Sequence, residues 1–261
     1  MSLAVNFAKA LCFSLLFGNS NAETLSRLNF LVISGSTSSV CIEQQQRLSK
    51  STFLVIESDQ AAVVRRYPDL SGCNGQPIWR NLGNMLVERR HAHTVEFTSI
   101  EIGNAKLSEL IGNGPPEMSL STVLESIRKN NIRFDAVLFQ QGPGDIGQTS
   151  RAYKDDFNRL VRLFSNANVI APWLIARHSR CGDLIGREVD DVQRLLPVDF
   201  FTRFYFAGPN INLIEDRAVS NGCDLDQIGE YRAAALWLQA YEAYRQLLGR
   251  ARREALLFLF S

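Results

Sequence analysis

The chain has 261 residues, of which 46% are hydrophobic, and this is enough to build one domain of good size with a complete core. Its 28 basic and 27 acidic residues nearly cancel, which indicates neither a basic face for nucleic acid nor an acidic tail. Nucleic acid is therefore not an expected partner, and the charge balance indicates no other class of partner. The sequence contains no internal repeat, low-complexity tract or domain linker.

The N-terminal segment 1–22 is typical of a signal peptide. Lys9 is its only charge, an apolar run at 10–18 follows, and small residues at Ser20 and Ala22 suit cleavage after Ala22. A membrane anchor is the alternative, but the run is far shorter than the ~20 residues that cross a bilayer. We therefore expect an exported protein, periplasmic or secreted.

The remaining residues, 23–261, alternate between strand and helix patterns and are predicted to form a single domain. Short apolar or alternating runs predict strands, and apolar residues three or four positions apart predict helices. In chain order, the strands are expected at 30–34, 94–100, 135–140, 168–176 and 204–206, and the helices at 79–90, 119–129, 150–164, 186–196 and 225–252. Strands separated by helices imply a parallel sheet with helices on both faces.

Polar and small residues follow the first four predicted strands. They lie at 35–39, 103–104, 140–145 and 178–181, and a fifth loop of the same kind, 221–224, precedes the last helix. Because ligands bind beyond the carboxyl ends of parallel strands, these loops are expected to meet at one edge of the sheet. The pattern indicates a ligand-binding or catalytic site.

The order and spacing of these blocks resemble the SGNH (GDSL-like) hydrolase superfamily, in its branch of sialate O-acetylesterase-like and acetylxylan esterase-like carbohydrate esterases. That branch typically has Gly-Gln-Ser-Asn, a glycine turn, Trp-His-Gln-Gly-Glu-Ser-Asp and Asp-Gly-Cys-His. The corresponding blocks here are Gly35-Ser36-Thr37-Ser38, Gly103-Asn104, Phe139-Gln140-Gln141-Gly142-Pro143-Gly144-Asp145 and Asn221-Gly222-Cys223-Asp224, and 72–79 and 229–237 also match. The resemblance covers nearly all of the mature chain. It implies an α/β fold, a three-layer α/β/α sandwich with a mostly parallel, flavodoxin-like central sheet.

The resemblance also implies a Ser-His-Asp triad, in which histidine accepts the serine proton and aspartate orients the histidine. The nucleophile position falls on Thr37, or on Ser36 after a shift of one residue. Asn221 stands at the aspartate position and Asp224 at the histidine position, so both acid–base residues are changed. An ordinary carboxylate, with a pKa of about 3.9, is a far weaker base than imidazole, and we therefore expect impaired catalysis.

The oxyanion hole is better preserved than the acid–base pair. In the family it uses the N–H of the nucleophile, a glycine N–H after the second strand and a side chain after the third. The resemblance assigns these last two roles to Gly103, assisted by Asn104, and to Gln141, while Asp145 matches the last acidic residue of the third block. Gln141 and Asp145 also suit purely structural roles at a strand end.

Three histidines are available as a replacement base. His91 and His93 precede the second strand, at the opposite edge; their spacing could hold a metal, but without a third ligand a solvated loop is the simpler interpretation. His178 follows the fourth strand at the site edge. It could form a relocated triad with Asp145 or Asp224, or occupy a supporting or surface position. No metal or cofactor is expected.

Export would place the cysteines of the mature chain in an oxidising compartment. Cys41, Cys73, Cys181 and Cys223 allow three pairings, and we expect Cys41–Cys73 and Cys181–Cys223, because each pair would join two loops on the same edge. Four buried free thiols are the alternative. Zinc is disfavoured because no Cys-x-x-Cys spacing occurs.

Two functional hypotheses follow. The favoured one is a catalytically impaired protein that binds a carbohydrate or acylated glycan or acts as a scaffold; the other is an active carbohydrate O-acyl esterase with an unusual triad. A separate question concerns the segment 245–261, in which three arginines precede the apolar run 255–260. We expect it to extend the last helix and pack on its own domain; docking on a partner or a membrane surface is the alternative. No other membrane association is expected.

Overall fold

The computed structural model describes residues 27–35, 51–57, 60–66, 77–102, 105–112, 120–198, 204–218 and 222–259. The predicted signal peptide and the expected Cys41–Cys73 bridge lie outside these residues. None of the helices in these ranges combines the length and the hydropathy of a transmembrane span.

Nine strands, six α-helices and three short 3-10 helices make up the regular structure of the described residues. The strands are β1 (Arg27–Ser34), β2 (Ser51–Glu57), β3 (Gln60–Arg66), β4 (Thr94–Glu101), β5 (Ala136–Gln140), β6 (Trp173–Arg177), β7 (Arg180–Cys181), β8 (Leu184–Ile185) and β9 (Tyr205–Asn210). The helices are α1 (Pro77–Glu88), α2 (Leu107–Ile111), α3 (Leu120–Lys129), α4 (Ser150–Asn166), α5 (Arg187–Leu195) and α6 (Gln227–Leu259).

A seven-stranded sheet forms the middle layer, in the order β3-β2-β4-β1-β5-β6-β9. The last five strands of this order run parallel to one another. Numbered by their own order in the chain, they follow the arrangement 2-1-3-4-5, which is that of flavodoxin-like sheets. The predicted fold class, an α/β sandwich with a mostly parallel central sheet, is confirmed.

The antiparallel strands β2 and β3, which were not predicted from the sequence, extend the sheet beyond β4. Both segments are rich in β-branched and apolar residues, and only two residues, Ser58 and Asp59, separate them in the sequence. Ser-Asp is not one of the glycine-containing pairs that mark a two-residue hairpin turn, so the sequence carries no strong hairpin pattern here.

Each face of the sheet has its own core, because successive strand residues point to opposite sides. Phe30 and Val32 of β1 pack in the core that includes Trp79 of α1 and Trp237 of α6. The alternate residues of the same strand pack in a second core, with buried side chains from α2, α3, α4 and α5. The sheet is thereby covered on both faces, which completes the three layers.

The largest boundary error concerns the strand predicted at 168–176. β6 starts at Trp173 because Asn168 adopts a φ of +66°, the left-handed conformation typical of a residue that ends a helix. Pro172 then precedes the strand and has no N–H to offer the sheet. The last helix is longer than the predicted 225–252 and extends to Leu259.

Candidate functional site

The carboxyl ends of the parallel strands lie at one edge of the sheet, as the sequence predicted. Ser34 at the end of β1 is in register with Gln140 at the end of β5 and with Glu101 at the end of β4. The Gln140 side chain points towards α6, where its Oε1 accepts a hydrogen bond of 2.6 Å from Nε1 of Trp237. This contact fixes the end of β5 against the last helix.

Several predicted site residues belong to segments outside the described part of the chain. These are the nucleophile candidates Ser36 and Thr37, the oxyanion candidates Gly103 and Asn104, and the aspartate-position residue Asn221. Their assigned roles stay predictions. Gly35, Ala105 and Gly222, which are their immediate neighbours, are described and define where these segments start or end.

Gln141 and Asp145 connect the loop after β5 to the loop after β4. Nε2 of Gln141 donates to Oδ2 of Asp145 at 2.5 Å and to the carbonyl oxygen of Ala105 at 3.2 Å. The backbone N–H of Leu107, the first residue of α2, donates to both Asp145 oxygens at 3.2 Å. Both amide protons of Gln141 are engaged, so an oxyanion role would require one of these hydrogen bonds to break.

Asp145 is fully buried, which gives it the environment of a structural carboxylate. Burial raises the pKa of Asp145 to about 6, although the hydrogen bonds from Gln141 and Leu107 act to lower it. Because the group has no exposed surface, it would need the loop to open before it could contact a substrate. Its visible action is to hold α2 and the preceding residues in place.

Gln193 of α5 joins the ends of β5 and β6. Its Nε2 donates to the backbone oxygen of Gln141 at 2.5 Å and to the Tyr153 hydroxyl at 2.9 Å, and its Oε1 accepts from the His178 N–H at 2.8 Å. Gly142 allows these two strand ends to approach closely, since a Cβ there would lie 1.9 Å from the His178 oxygen. The close approach of the two strand ends therefore explains, on steric grounds, why glycine occupies this position of the third block.

His178 is completely buried on the site edge. Among the described residues, neither of its ring nitrogens has a hydrogen-bond partner of acceptable geometry. Burial, and then the positive charge of Arg217, lower the pKa of His178 to about 3, and a nearby backbone group of Gln140 offsets only part of this. The ring is therefore neutral near pH 7, and no carboxylate in the described part of the chain orients it.

Arg217 holds the loop that carries Asp224, the residue at the predicted histidine position. Asp224 is only 1% exposed. Burial and the charge of Arg180 lower the pKa of Arg217 to about 10, while Asp224 acts to raise it. The guanidinium donates to four backbone oxygens, those of Ile211 and Ile214 at 3.1 Å, Cys223 at 2.9 Å and Arg180 at 3.4 Å.

A disulfide joins Cys181 and Cys223, whose Cα atoms are 3.9 Å apart, in the pairing that was expected. It ties the short hairpin of β7 and β8 to the loop before α6. Beside it the Gly182 N–H donates to the Gly222 oxygen at 2.8 Å. Gly222 has a φ of +64°, so glycine is required at this turn.

Two features of this edge were not anticipated. Glu230, in the first turn of α6, is buried, and burial together with the charges of Asp226 and Asp224 raises the pKa of Glu230 to about 7. Asn212 accepts from the Ser179 N–H at 2.8 Å and donates to Asp190 at 2.8 Å. Asn212 belongs to no family block, and Glu230 lies in the matching segment 229–237, to which no site role was assigned; isolated polar residues in a helix or a short turn carry no pattern that identifies them.

The histidines at the opposite edge do not behave alike. His91, expected in a solvated loop, is partly buried: its Nε2 lies 3.0 Å from Oε1 of Glu242, and its ring packs edge-on against Tyr241. The hydrogen bond to α6 and the aromatic contact explain the difference. His93 is exposed, as expected. In the described part of the chain no group of metal-ligating side chains comes together at either histidine.

Comparison with known proteins gives a fold and no family. No family model matches the chain, and no curated protein matches it significantly. A solved structure of a protein from Arabidopsis thaliana is 14% identical, over 82% of this chain and 98% of that chain, with a TM-score of 0.54. The psychrotrophic esterase EstA from a Pseudoalteromonas species is 11% identical over 84% and 99%, with a TM-score of 0.48. The acetyl xylan esterase AlAXEase is 13% identical over 81% and 98%, with a TM-score of 0.45. These identities show the fold alone, and of the three structures the one from Arabidopsis thaliana has a TM-score above 0.5.

Proposed function

We propose that this chain is an exported protein of SGNH type whose catalytic chemistry is impaired and which acts by binding an acylated glycan. The observation that carries the proposal is the state of the acid–base pair. Asp224 stands where the resemblance requires a histidine, and its charge acts on Arg217. His178 has no carboxylate partner within the described residues. Within the described residues, the histidine that is hydrogen-bonded to a carboxylate is His91, whose partner Glu242 lies with it at the opposite edge.

The physical consequence is a nucleophile without an adequate base. A Ser or Thr hydroxyl reacts only when a positioned base accepts its proton, and a histidine does so because a carboxylate stabilises the imidazolium that forms. An ordinary carboxylate, with a pKa of about 3.9, is a far weaker base than imidazole. Binding makes no such demand, because it needs only the frame of loops around the ligand.

The ligand class rests on the sequence blocks that resemble carbohydrate O-acetyl esterases. The first and third of these blocks adjoin or include Gly35, Gln141, Gly142 and Asp145, which the structure holds at the site edge. An acyl ester on a sugar presents a carbonyl oxygen and several hydroxyl groups to such loops. We therefore expect acetylated oligosaccharides to bind better than their deacetylated forms.

An active esterase with a relocated base is the second candidate. His178 lies at the carboxyl end of β6, and its lowered pKa keeps the imidazole neutral, which is the form a general base needs. Against this hypothesis, the ring is completely buried. In the described part of the chain a backbone group of Gln140 favours the protonated ring, but burial and the charge of Arg217 outweigh it.

Hydrolysis of p-nitrophenyl acetate and acetylated xylo-oligosaccharides separates the two candidates. We expect the wild type to be at least about 100-fold slower than a variant carrying Thr37→Ser, Asn221→Asp and Asp224→His, because a missing triad leaves only oxyanion and binding contributions. The matched control is the same variant with Ala at position 37. Near-ultraviolet circular dichroism establishes that each variant folds.

The wild type gives an independent answer if the restored variant does not fold. Hydrolysis that Thr37→Ala and His178→Ala both abolish would establish the relocated triad and overturn the proposal. Hydrolysis no faster than that of the Thr37→Ala variant supports it. Calorimetric titration with acetylated and deacetylated oligosaccharides then tests the binding claim, which fails if neither binds or both bind equally.

A further inference from the structure

The first half of α6 carries apolar side chains on a face that does not pack on the sheet. Ile228 and Tyr231 are each 58% exposed, whereas Trp237 of the same helix is buried in the core. Ile228, Tyr231 and Ala235 are three and four positions apart, so they are neighbours along one side of the helix. This side of α6 therefore presents large apolar side chains to solvent.

A groove runs beside this face, between α6 and the 3-10 turn Ile211–Leu213 that follows β9. The groove has a volume of about 310 Å³ and is lined by Leu213, Ile214, Arg232, Ala235 and Leu236. Leu213, on the wall opposite α6, is 73% exposed. Exposed apolar side chains thus stand on both sides of a groove that is itself mostly apolar.

The two walls of the groove are joined by contacts between the segment 214–218 and the start of α6. Asp216 forms an ion pair with Arg232, and its backbone oxygen accepts a hydrogen bond of 3.1 Å from the Asp226 N–H. Gly229 allows this close approach, since a Cβ there would lie 2.1 Å from the same oxygen. The groove is therefore preformed, and a preformed surface lowers the cost of ordering that binding must overcome.

The two walls also carry opposite charges. Arg232 is exposed on the α6 wall, and Glu215 is exposed on the other wall, two residues after Leu213. A two-fold axis along the groove would place the α6 wall of one copy against the Leu213 wall of a second copy. Arg232 would then face Glu215 of the second copy. Ile228 and Tyr231 would face its Leu213.

A second copy accounts for these features better than a small ligand does. A ligand inside the groove would leave the exposed side chains of Leu213, Ile228 and Tyr231 in water, whereas an opposing protein surface would cover them. Interfaces between proteins combine an apolar centre, in which tyrosine is enriched, with a polar rim. Because this surface complements itself in both apolar character and charge, the chain supplies its own partner.

We propose that the groove and its two walls form the interface of a homodimer whose two-fold axis runs along the groove. Few large side chains build this interface, so the dimer is weak and depends on protein concentration. The inference does not rest on the proposed function, because none of these residues belongs to the candidate triad or oxyanion hole.

Sedimentation velocity of the mature chain over a range of concentrations tests the proposal. We expect a monomer at about 1 µM and mostly dimer at about 200 µM, which corresponds to a dissociation constant on the order of tens of micromolar. Leu213→Glu should raise this constant at least about 100-fold, because each dimer contains the change twice and burial of a leucine contributes about tenfold or more per copy. Leu247→Glu, at another exposed leucine of α6, is the matched control and should change the constant less than about twofold.

A charge exchange tests the direction of the axis. Glu215→Arg alone should raise the dissociation constant about tenfold, since it places like charges opposite each other in two symmetry-related contacts. Glu215→Arg combined with Arg232→Glu should restore the wild-type constant to within about threefold, because the exchanged charges attract again across the interface. Loss of the ion pair with Asp216 affects monomer and dimer alike, so it does not enter this constant.

All these positions are exposed, and an unchanged near-ultraviolet circular dichroism spectrum establishes that each variant folds. The proposal is overturned if the wild type is a monomer at about 200 µM. It is also overturned if Leu213→Glu and Leu247→Glu have equal effects, or if the charge exchange fails to restore the dimer.

Discussion

His178 is buried without a hydrogen-bond partner in the described residues, and this makes a specific prediction about the response of the protein to acid. The test replaces it by Leu, which has a similar volume and needs no hydrogen bond, and by Gln, which stays polar but does not titrate. Near pH 7.5 the imidazole is neutral in both the folded and the unfolded chain. The Leu variant should therefore match the wild type or exceed its stability by about 1–3 kcal/mol, since it removes an unpaired buried polar group.

The magnitude at lower pH follows from the shift in pKa. Burial first, and the charge of Arg217 second, lower the pKa of His178 from 6.5 to about 3. The unfolded chain therefore binds a proton that the folded chain does not, and stability is progressively lost as the pH falls from 6.5 towards 3. At about pH 5 the wild type loses about 2 kcal/mol through this group, because each unit below 6.5 corresponds to about 1.4 kcal/mol.

Two carboxyl groups act in the opposite direction in the wild type. Burial raises the pKa of Asp145 to about 6 and that of Glu230 to about 7, so their protonation stabilises the folded state as the pH falls. Both remain in the variants. The difference in unfolding free energy between variant and wild type therefore isolates the contribution of His178.

Urea unfolding followed by tryptophan fluorescence at about pH 7.5 and pH 5 measures this difference. From pH 7.5 to pH 5, the unfolding free energy of both the Leu and the Gln variant should rise by about 2 kcal/mol relative to that of the wild type. The control His93→Leu, at an exposed position, should show no such relative gain. The reasoning is refuted if the difference is the same at both pH values. It is equally refuted if His178→Leu costs more than about 2 kcal/mol at pH 7.5, because the ring would then have a partner.

Four further variants test the contacts that hold the site edge, each by urea unfolding. Relative to the wild type, the Asp145→Asn variant should gain about 2–3 kcal/mol of unfolding free energy between pH 4 and pH 7. The stability that Asp145 contributes to the wild type is present below its unfolded pKa of 3.8 and is lost as the pH rises through about 6. Arg217→Lys should cost about 2–4 kcal/mol, since a lysine cannot reach four backbone oxygens at once. Gly142→Ala should cost at least about 3 kcal/mol through the clash with the His178 oxygen, and a smaller cost would mean that the loop shifts easily. Replacing Cys181 and Cys223 by Ser should lower the unfolding free energy by about 4 kcal/mol, because the bridge closes a segment with a sequence separation of 42. Non-reducing peptide mapping should recover this disulfide and the Cys41–Cys73 disulfide. Free thiols at these four positions would contradict export.

The layered architecture could be predicted because its evidence is local and repeated. The apolar runs at β1 and β5 are short and end at glycine or glutamine, and the helical spacing of Tyr153, Phe157, Leu160 and Phe164 survives as the buried face of α4. The predicted element boundaries were wrong where the conformation of a single residue overrides the sequence pattern. Asn168 takes a left-handed conformation after α4, so an apolar segment that reads as strand is a connection instead.

The contacts of the site could be predicted less well, because most of them join residues that are far apart in the chain. Gln141 and Asp145 were identified from a family block, but their partners Ala105 and Leu107 are reached through backbone atoms, which a sequence does not display. The same applies to Arg217, whose four acceptors are all carbonyl oxygens. A half-buried arginine among backbone carbonyls has no sequence pattern of its own.

The burial of His178 could not be predicted for a different reason. A histidine directly after a strand suits an exposed loop, a catalytic position or the interior equally well. What decides between them is the close approach of the chain at Gly142 and the amide of Gln193, which cover the residue from two other elements. Only the packed structure contains that information.

Several contacts that hold the site edge do not use the side chains at 221 and 224, and this gives a physical reason to prefer binding over catalysis. Arg217 reaches the backbone oxygen of Cys223, which is available whatever side chain stands at 224. The bridge from Gln141 to Asp145 and the close approach at Gly142 are likewise independent of a histidine or aspartate in the last block. Substitutions at 221 and 224 could therefore accumulate while the loops kept their places. Catalysis requires the loops and the proton acceptor together, whereas ligand binding requires only the loops, so binding is the activity that such substitutions would spare.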